Sequence, residues 1–389
     1  MNRLSSFSNS EITSGQLAKL LYLFCMGSAA LIVPPAVAAI ANQDSWFSML
    51  LIIPVHCLIV YLYLVLHSRF PRLTIAQYTE KIVGIWIGKA ITLTFVFFFM
   101  VLSSLVLKNV ADFLGKAVLP QTPEWFISAT FMLVVAYGLC LGLETIARTG
   151  EILFGWTLFV IVIITFTLIN QMDLKNLEPV FAHGLIVPIK GFYPILGFPL
   201  SECIFLTAVL PMIREQDRTT LKKKMGKSVI VTGIVSVLIM ILLVSVLGVS
   251  ETKRSPFAVY EMAKSINIEE VLVRVEILFA MIWIGTIFIK LALSMYSLVV
   301  LLAQMLGLRA YRPLVFPLCV LMVPLSLTMY RNSIHATIFA MDVWTVYSAL
   351  QGLAIPAVLL VLAMAMGKRS DADGRFPENP PPPSERTPS

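Results

Sequence analysis

Apolar residues run through this chain in long, charge-free blocks separated by short polar stretches. Blocks of that length predict helices that cross a bilayer. They cover Leu20 to Gln43, Ser45 to Leu66, Ala90 to Leu107, Trp125 to Leu143, Ile152 to Met172, Ser228 to Ser250, Pro313 to Tyr330 and Val343 to Gly367. Two further blocks carry charges: one around Glu202, and one from Glu269 to Leu308 containing Arg274, Glu276 and Lys290. Ten spans follow. The last of these blocks reads as one tilted helix with an extension, because dividing it at Lys290 leaves a piece too short for a core of about 30 Å.

Two blocks are interrupted at matching places in the two halves. The first reads Gly27-Ser28-Ala29-Ala30 and then Pro34-Pro35, and the second reads Gly197-Phe198-Pro199 before resuming as Leu200 to Ile213. Unwound backbone inside a bilayer is tolerated where it is buried in protein or lines a cavity, so paired breaks point to a small-molecule site at the midplane. Five spans per half force the halves into opposite orientations. The expected organisation is a segment 1–12, a five-helix repeat 13–172, an outer loop 173–186, a second five-helix repeat 187–367 and a disordered Pro-rich tail 368–389. Pro71 to Val83 reads as a short interfacial helix. Phe257 to Lys264 reads as a second surface helix, either lid or connector.

Composition supports this picture: of 389 residues, 58% are hydrophobic and 13% charged. With the N-terminus placed in the cytoplasm, 19 of the 29 Lys and Arg fall on the cytoplasmic side and 8 on the outside, so both termini are expected inside. The net charge of +7 follows from that bias and suits anionic membrane lipid, giving no reason to invoke nucleic acid. The five cysteines lie in apolar spans without metal-ligand spacing, and the four histidines are scattered. Packing is the expected role of the cysteines. No metal, cofactor or catalytic residue is expected, and the chain does not read as an enzyme.

Candidate chemistry gathers at the breaks. Small residues at Gly27, Ser28, Ala29 and Ala30 leave main chain open to a ligand, and the positive end of a half-helix favours a carboxylate. At the second break Gly197 supplies flexibility, Phe198 an aromatic cover, Pro199 a helix stop, Leu200 the restart, and Glu202 an acid one turn later. Glu202 is read first as a structural acceptor for unwound backbone and second as a proton or amine site. Two readings are open for Lys290: a fixed positive charge in the place of a bound cation, or a side chain that snorkels to the interface. Thr286, one turn before it, is a pocket hydroxyl or a self-bonded one. Glu144 and Arg148 stand at i, i+4 with Glu151 further along the same face, a salt bridge or an inner gate.

Ile12-Thr13-Ser14-Gly15-Gln16, Gly142-Leu-Glu-Thr-Ile-Ala-Arg148 with Glu151, Asn176-Leu-Glu-Pro179 and Phe198-Pro-Leu-Ser-Glu202 together resemble the spore germination protein family. That family is the integral-membrane B subunit of nutrient germinant receptors and is similar in fold to amino acid, polyamine and organocation permeases. The resemblance implies an all-α polytopic protein with a leucine-transporter-like 5+5 inverted repeat and discontinuous helices 1 and 6. It also implies a receptor of the spore inner membrane that binds a small nutrient, commonly an amino acid, and signals through companion A and C subunits. The family's pocket falls on the two breaks, on Val101 and Ser104 of the third span, and on Thr286. A secondary amino acid transporter is the competing class.

Overall fold

The structure, a computed structural model, describes residues 11–29, 33–265, 275–330 and 338–370. Helices α1 (Ser14–Ala29) and α2 (Val33–Ala41) flank the first break, followed by α3 (Ser45–Leu50), α4 (Ile52–Arg69), α5 (Ile75–Val83), α6 (Ile85–Phe113), α7 (Glu124–Leu141) and α8 (Leu143–Leu168). The second half opens with the helical run α9 (Ile186–Met212) and continues through α10 (Arg218–Arg254), α11 (Ala258–Lys264), α12 (Val275–Met305), α13 (Arg312–Thr328) and α14 (Phe339–Ala365).

Eight helices among the described residues are long and apolar enough to cross a membrane. Two expected spans fall outside that set. The first is described in two pieces, α1 and α2, with residues 30–32 between them outside the described residues, and the apolar α13, at 17 residues, is one shorter than α4 and α7. The charged block of the second half is a single helix through Lys290, as expected. Its start before Val275 and the tail beyond Ser370 lie outside the described residues.

The molecule is apolar outside as well as inside. Leu58, Leu133, Phe166 and Val320 are exposed, which is the surface lipid requires. Trp86 and Trp125, near helix ends, match the aromatic belts of membrane proteins. Gly84 (φ 90°) and Gly142 (φ 101°) occupy left-handed backbone at the starts of α6 and α8, letting each helix turn back sharply from its predecessor.

Hydrogen bonds establish which ends share a face. Ile12 donates to the Met212 carbonyl at 3.0 Å and accepts from Arg214 at 3.1 Å, pairing the strand before α1 with the chain leaving α9. Arg72 pairs with Glu215 at 3.0 Å, Ser370 donates its backbone N–H to the Arg69 carbonyl, and Lys368 reaches the carbonyls of Lys81 and Ile82. Both described ends of the chain therefore lie on one face. The opposite face joins Asp44 to the Phe181 amide at 2.9 Å, Lys253 to Asn42, and Tyr330 to Asn109 at 2.8 Å.

The two small helices are docked on protein. Ile75, Ala76, Tyr78, Thr79 and Ile82 of α5 are buried, and Phe70 stacks on Tyr78 with ring centres 5.3 Å apart. Thr74 and Gln77 form a capping box that satisfies two free amides at the start of α5. Thr74→Ala removes it, with an expected loss of about 0.5–2 kcal/mol in a thermal melt. On the other face, α11 sits over Phe113, whose ring meets Phe257 at 5.2 Å and Tyr260 at 5.3 Å edge-to-face.

Candidate functional site

The second break is centred on Phe198, whose φ/ψ of −120°/120° is extended backbone inside the helical run α9. Breaking the helix there frees the Gly197 carbonyl, and Ser348 of α14 donates to it at 3.4 Å. A Cβ added at Gly197 would lie 2.8 Å from the Thr345 Cα. The missing side chain is therefore where α9 and α14 press together. Gly27 plays the same part in the first half: a Cβ there would stand 3.1 Å from both the Lys290 Cβ and the Thr286 carbonyl oxygen. The space beside both glycines is filled by the neighbouring helix.

One turn beyond the second break lies the electrostatic centre of the molecule. Glu202 and Lys290 form an ion pair in which both side chains are 0% exposed. The other carboxylate oxygen of Glu202 accepts from Trp344 Nε1 at 2.9 Å. Lys290 Nζ also lies 4.9 Å from the centre of the Phe24 ring, which stacks on Phe205 at 4.2 Å. Charges taken out of water cost several kcal/mol each, and only close pairing with added hydrogen bonds offsets that cost. The ring face of Phe24 adds a cation–π contact. Lys290 therefore does not snorkel. It is held inward because it stands on the face of α12 that packs against α1 at Gly27. Glu202 has a basic partner that sequence order conceals.

The remaining candidates separate. Pro199 and Leu200 are buried, and the ring of half-buried Phe198 lies 6.0 Å from that of Trp344. Thr286 is 3% exposed and donates to the Trp283 carbonyl at 2.9 Å. Ser104 donates to the Met100 carbonyl at 2.9 Å and meets Met322 Sδ at 3.4 Å, while Val101 is half-buried. The contact from α6 to the site is instead made by Phe98, stacked on Trp344 at 5.3 Å. Ala30 and the side chains of Ser28 and Ala29 lie outside the described residues.

The acid-arginine-acid stretch divides in two. Arg148 pairs with Glu144 at 2.7 Å on the exposed start of α8. Glu151 accepts from Lys19 at 2.7 Å and Gln16 at 3.1 Å, and so ties α8 to α1. The first pair lies within one helix, and the second bridges two. Lys19→Ala is expected to cost less than about 1 kcal/mol in a melt, as half-exposed pairs do. It should raise the reactivity of a cysteine introduced at Gly15 toward a water-soluble maleimide.

Two features escaped the sequence reading altogether. Cys25, His56 and Cys203 come from three helices, and their ligand atoms all lie within 4.8 Å of one another, fully buried. Spacing along the chain does not show that grouping. The second feature is a set of buried polar atoms without a hydrogen-bond partner: Tyr22 Oη, Ser103 Oγ, Thr157 Oγ1, Ser201 Oγ and Trp283 Nε1. They belong to α1, α6, α8, α9 and α12. Such groups are normally satisfied, so they mark where a bound molecule or water would find partners.

A helical run broken at Phe198, beside a buried ion pair against which α1, α12 and α14 pack, fits a leucine-transporter-like membrane protein. Similarity to solved structures bears out that fold. The chain aligns with MhsT in complex with L-phenylalanine at a TM-score of 0.66 and 13% identity, covering 92% of this chain and 90% of that one. It aligns with a manganese transporter of Eremococcus coleocola at 0.62 and 16% identity, covering 91% and 81%. The profile of the family described as spore germination protein matches residues 11–334, and the chain belongs to that family. Spore germination protein KB of Bacillus subtilis (strain 168) is 26% identical over 93% of this chain and 96% of its own length. Spore germination protein YndE of the same organism is 25% identical over 74% and 79%.

Proposed function

We propose that this chain is the membrane-spanning subunit of a spore germination receptor, binding a small nutrient, an amino acid, between its two broken helices. The observation that carries the reading is the Glu202–Lys290–Trp344 contact. It joins α9, α12 and α14 beside the second break, while Phe24 brings α1 against the same ammonium. A molecule that enters between the breaks must repack these helices together, and its differential affinity for two arrangements shifts their populations. The unpartnered hydroxyls and indole suit the polar groups of a zwitterion. In this reading the protein lies in the spore inner membrane with both ends in the cytoplasm, and the latch of Ile12 and Lys19 closes the cytoplasmic side. Companion A and C subunits receive the shift.

The competing reading is an ion-coupled amino acid permease, favoured by the fold of the transporters it resembles. Two measurements separate them. Spores carrying this receptor alone are challenged with an amino acid panel, and the purified chain in proteoliposomes is tested for uptake of the radiolabelled amino acid that triggers germination. The receptor reading expects a nutrient response without accumulation. Robust ion-gradient-driven accumulation by the isolated chain would overturn it.

A further inference from the structure

The Cys25, His56 and Cys203 cluster has the dimensions of a tetrahedral metal site. The two sulfurs are 3.7 Å apart, and Cys203 Sγ lies 3.6 Å from His56 Nε2. A tetrahedral zinc ion bound at about 2.3 Å to sulfur and about 2.0–2.1 Å to nitrogen sets two sulfurs about 3.8 Å apart, and a sulfur and a nitrogen about 3.5 Å apart. Two edges of the coordination polyhedron are thus already in place. The Cys203 sulfur also meets the Pro199 carbonyl at 3.5 Å, an oxygen beside the second break that a four-coordinate ion can recruit.

We propose that Cys25, His56 and Cys203 bind one zinc ion. The softness of two sulfurs and an imidazole excludes magnesium, calcium and manganese as preferred occupants. Charge then selects the oxidation state. All three residues are 0% exposed, so a site with net charge would bear a large desolvation cost. Two thiolates and a neutral imidazole balance a divalent ion, whereas cuprous copper would leave one negative charge uncompensated. The adjacent Lys290 does not oppose a cation, since Glu202 neutralises it. On binding, both thiols lose their protons to solvent, Zn²⁺ gains two sulfur bonds and one nitrogen bond, and no electrons move.

Placement gives the ion a consequence. Cys25 lies on α1 just before the first break, Cys203 on α9 just after the second, and His56 on α4. A bound ion fastens both broken helices to a third, and zinc becomes a brake on any motion that separates them.

The full-length chain, purified in detergent under reducing conditions and stripped with a chelator, is loaded with Zn²⁺ or Co²⁺. One Zn²⁺ per chain should survive desalting, and Co²⁺ should give a thiolate-to-metal charge-transfer band with tetrahedral d–d absorption. Cys25→Ser and Cys203→Ser should each abolish that band and weaken Zn²⁺ retention more than about tenfold, the scale on which even residues around a ligand act. Cys319→Ser should leave both unchanged. Absence of the cobalt band and of retained zinc in folded wild-type protein overturns the proposal, and so does zinc retention that the two serine variants do not alter. The wild-type cobalt spectrum decides the matter if a serine variant fails to fold.

Discussion

Lys290→Met destabilises the protein by about 3–5 kcal/mol, because it leaves the Glu202 carboxylate buried without its ammonium, held by the Trp344 indole. The effect is large for the reason that buried pairs are poor net stabilisers: the pair's own attraction is spent against desolvation, and removing one partner exposes the whole penalty of the other. The double variant Glu202→Leu with Lys290→Met should therefore recover most of the loss. Thermal unfolding in detergent, followed by tryptophan fluorescence, reads both. Equal stability of the single variant, the double variant and the wild type would show that the two charges are not coupled. Germination by the double variant is a separate readout: if the pair only holds the helices together, the nutrient response survives.

Gly352→Ala is the second change with a severe expected result. Gly352 lies in α14, and a Cβ there would run into the Ser201 carbonyl oxygen, with the carbonyl carbon at 2.7 Å and the Cα at 2.9 Å. These are backbone atoms, so no side chain can rotate away. Tyr63 of α4 also donates to the Gly352 carbonyl, and Trp344 lies two turns earlier on the same element. One methyl group therefore pushes α14 off α9 beside the second break. Overpacking of this kind costs about 1–3 kcal/mol, and contact with rigid main chain places this case at the upper end. Gly155 of α8 is the control, since a Cβ there meets nothing within 4 Å. Gly155→Ala should not destabilise, and a Gly352→Ala melt indistinguishable from it would refute the close packing of α14 on α9.

Local signals carried the fold and a limited part of the site. The breaks were visible because glycine and proline act on their own backbone, and the charge bias because it needs only a count of loops. Helix starts moved where a polar residue does not end a helix: α6 runs back past Lys89 to Ile85, and α8 past Arg148 to Leu143. What sequence order hides is pairing between distant helices. Glu202 and Lys290 are 88 positions apart, Glu202 and Trp344 142, and Cys25 and Cys203 178. Each looks isolated along the chain, and only the packing of α9 on α12, on α14 and on α1 brings the partners together. The partners of Glu151 are hidden for a related reason. Helical spacing puts it near Arg148, but Lys19 and Gln16 on the neighbouring helix offer it a closer pair of donors.

The short pairing of Ile12 with Met212 and Arg214 has a mechanical meaning. The segment that leads into α1 is hydrogen-bonded through both the N–H and the carbonyl of Ile12 to the segment that leaves α9, so the two halves are linked there. Tension applied ahead of Ser14, by a fusion partner or by a docked protein, is delivered to both breaks at once.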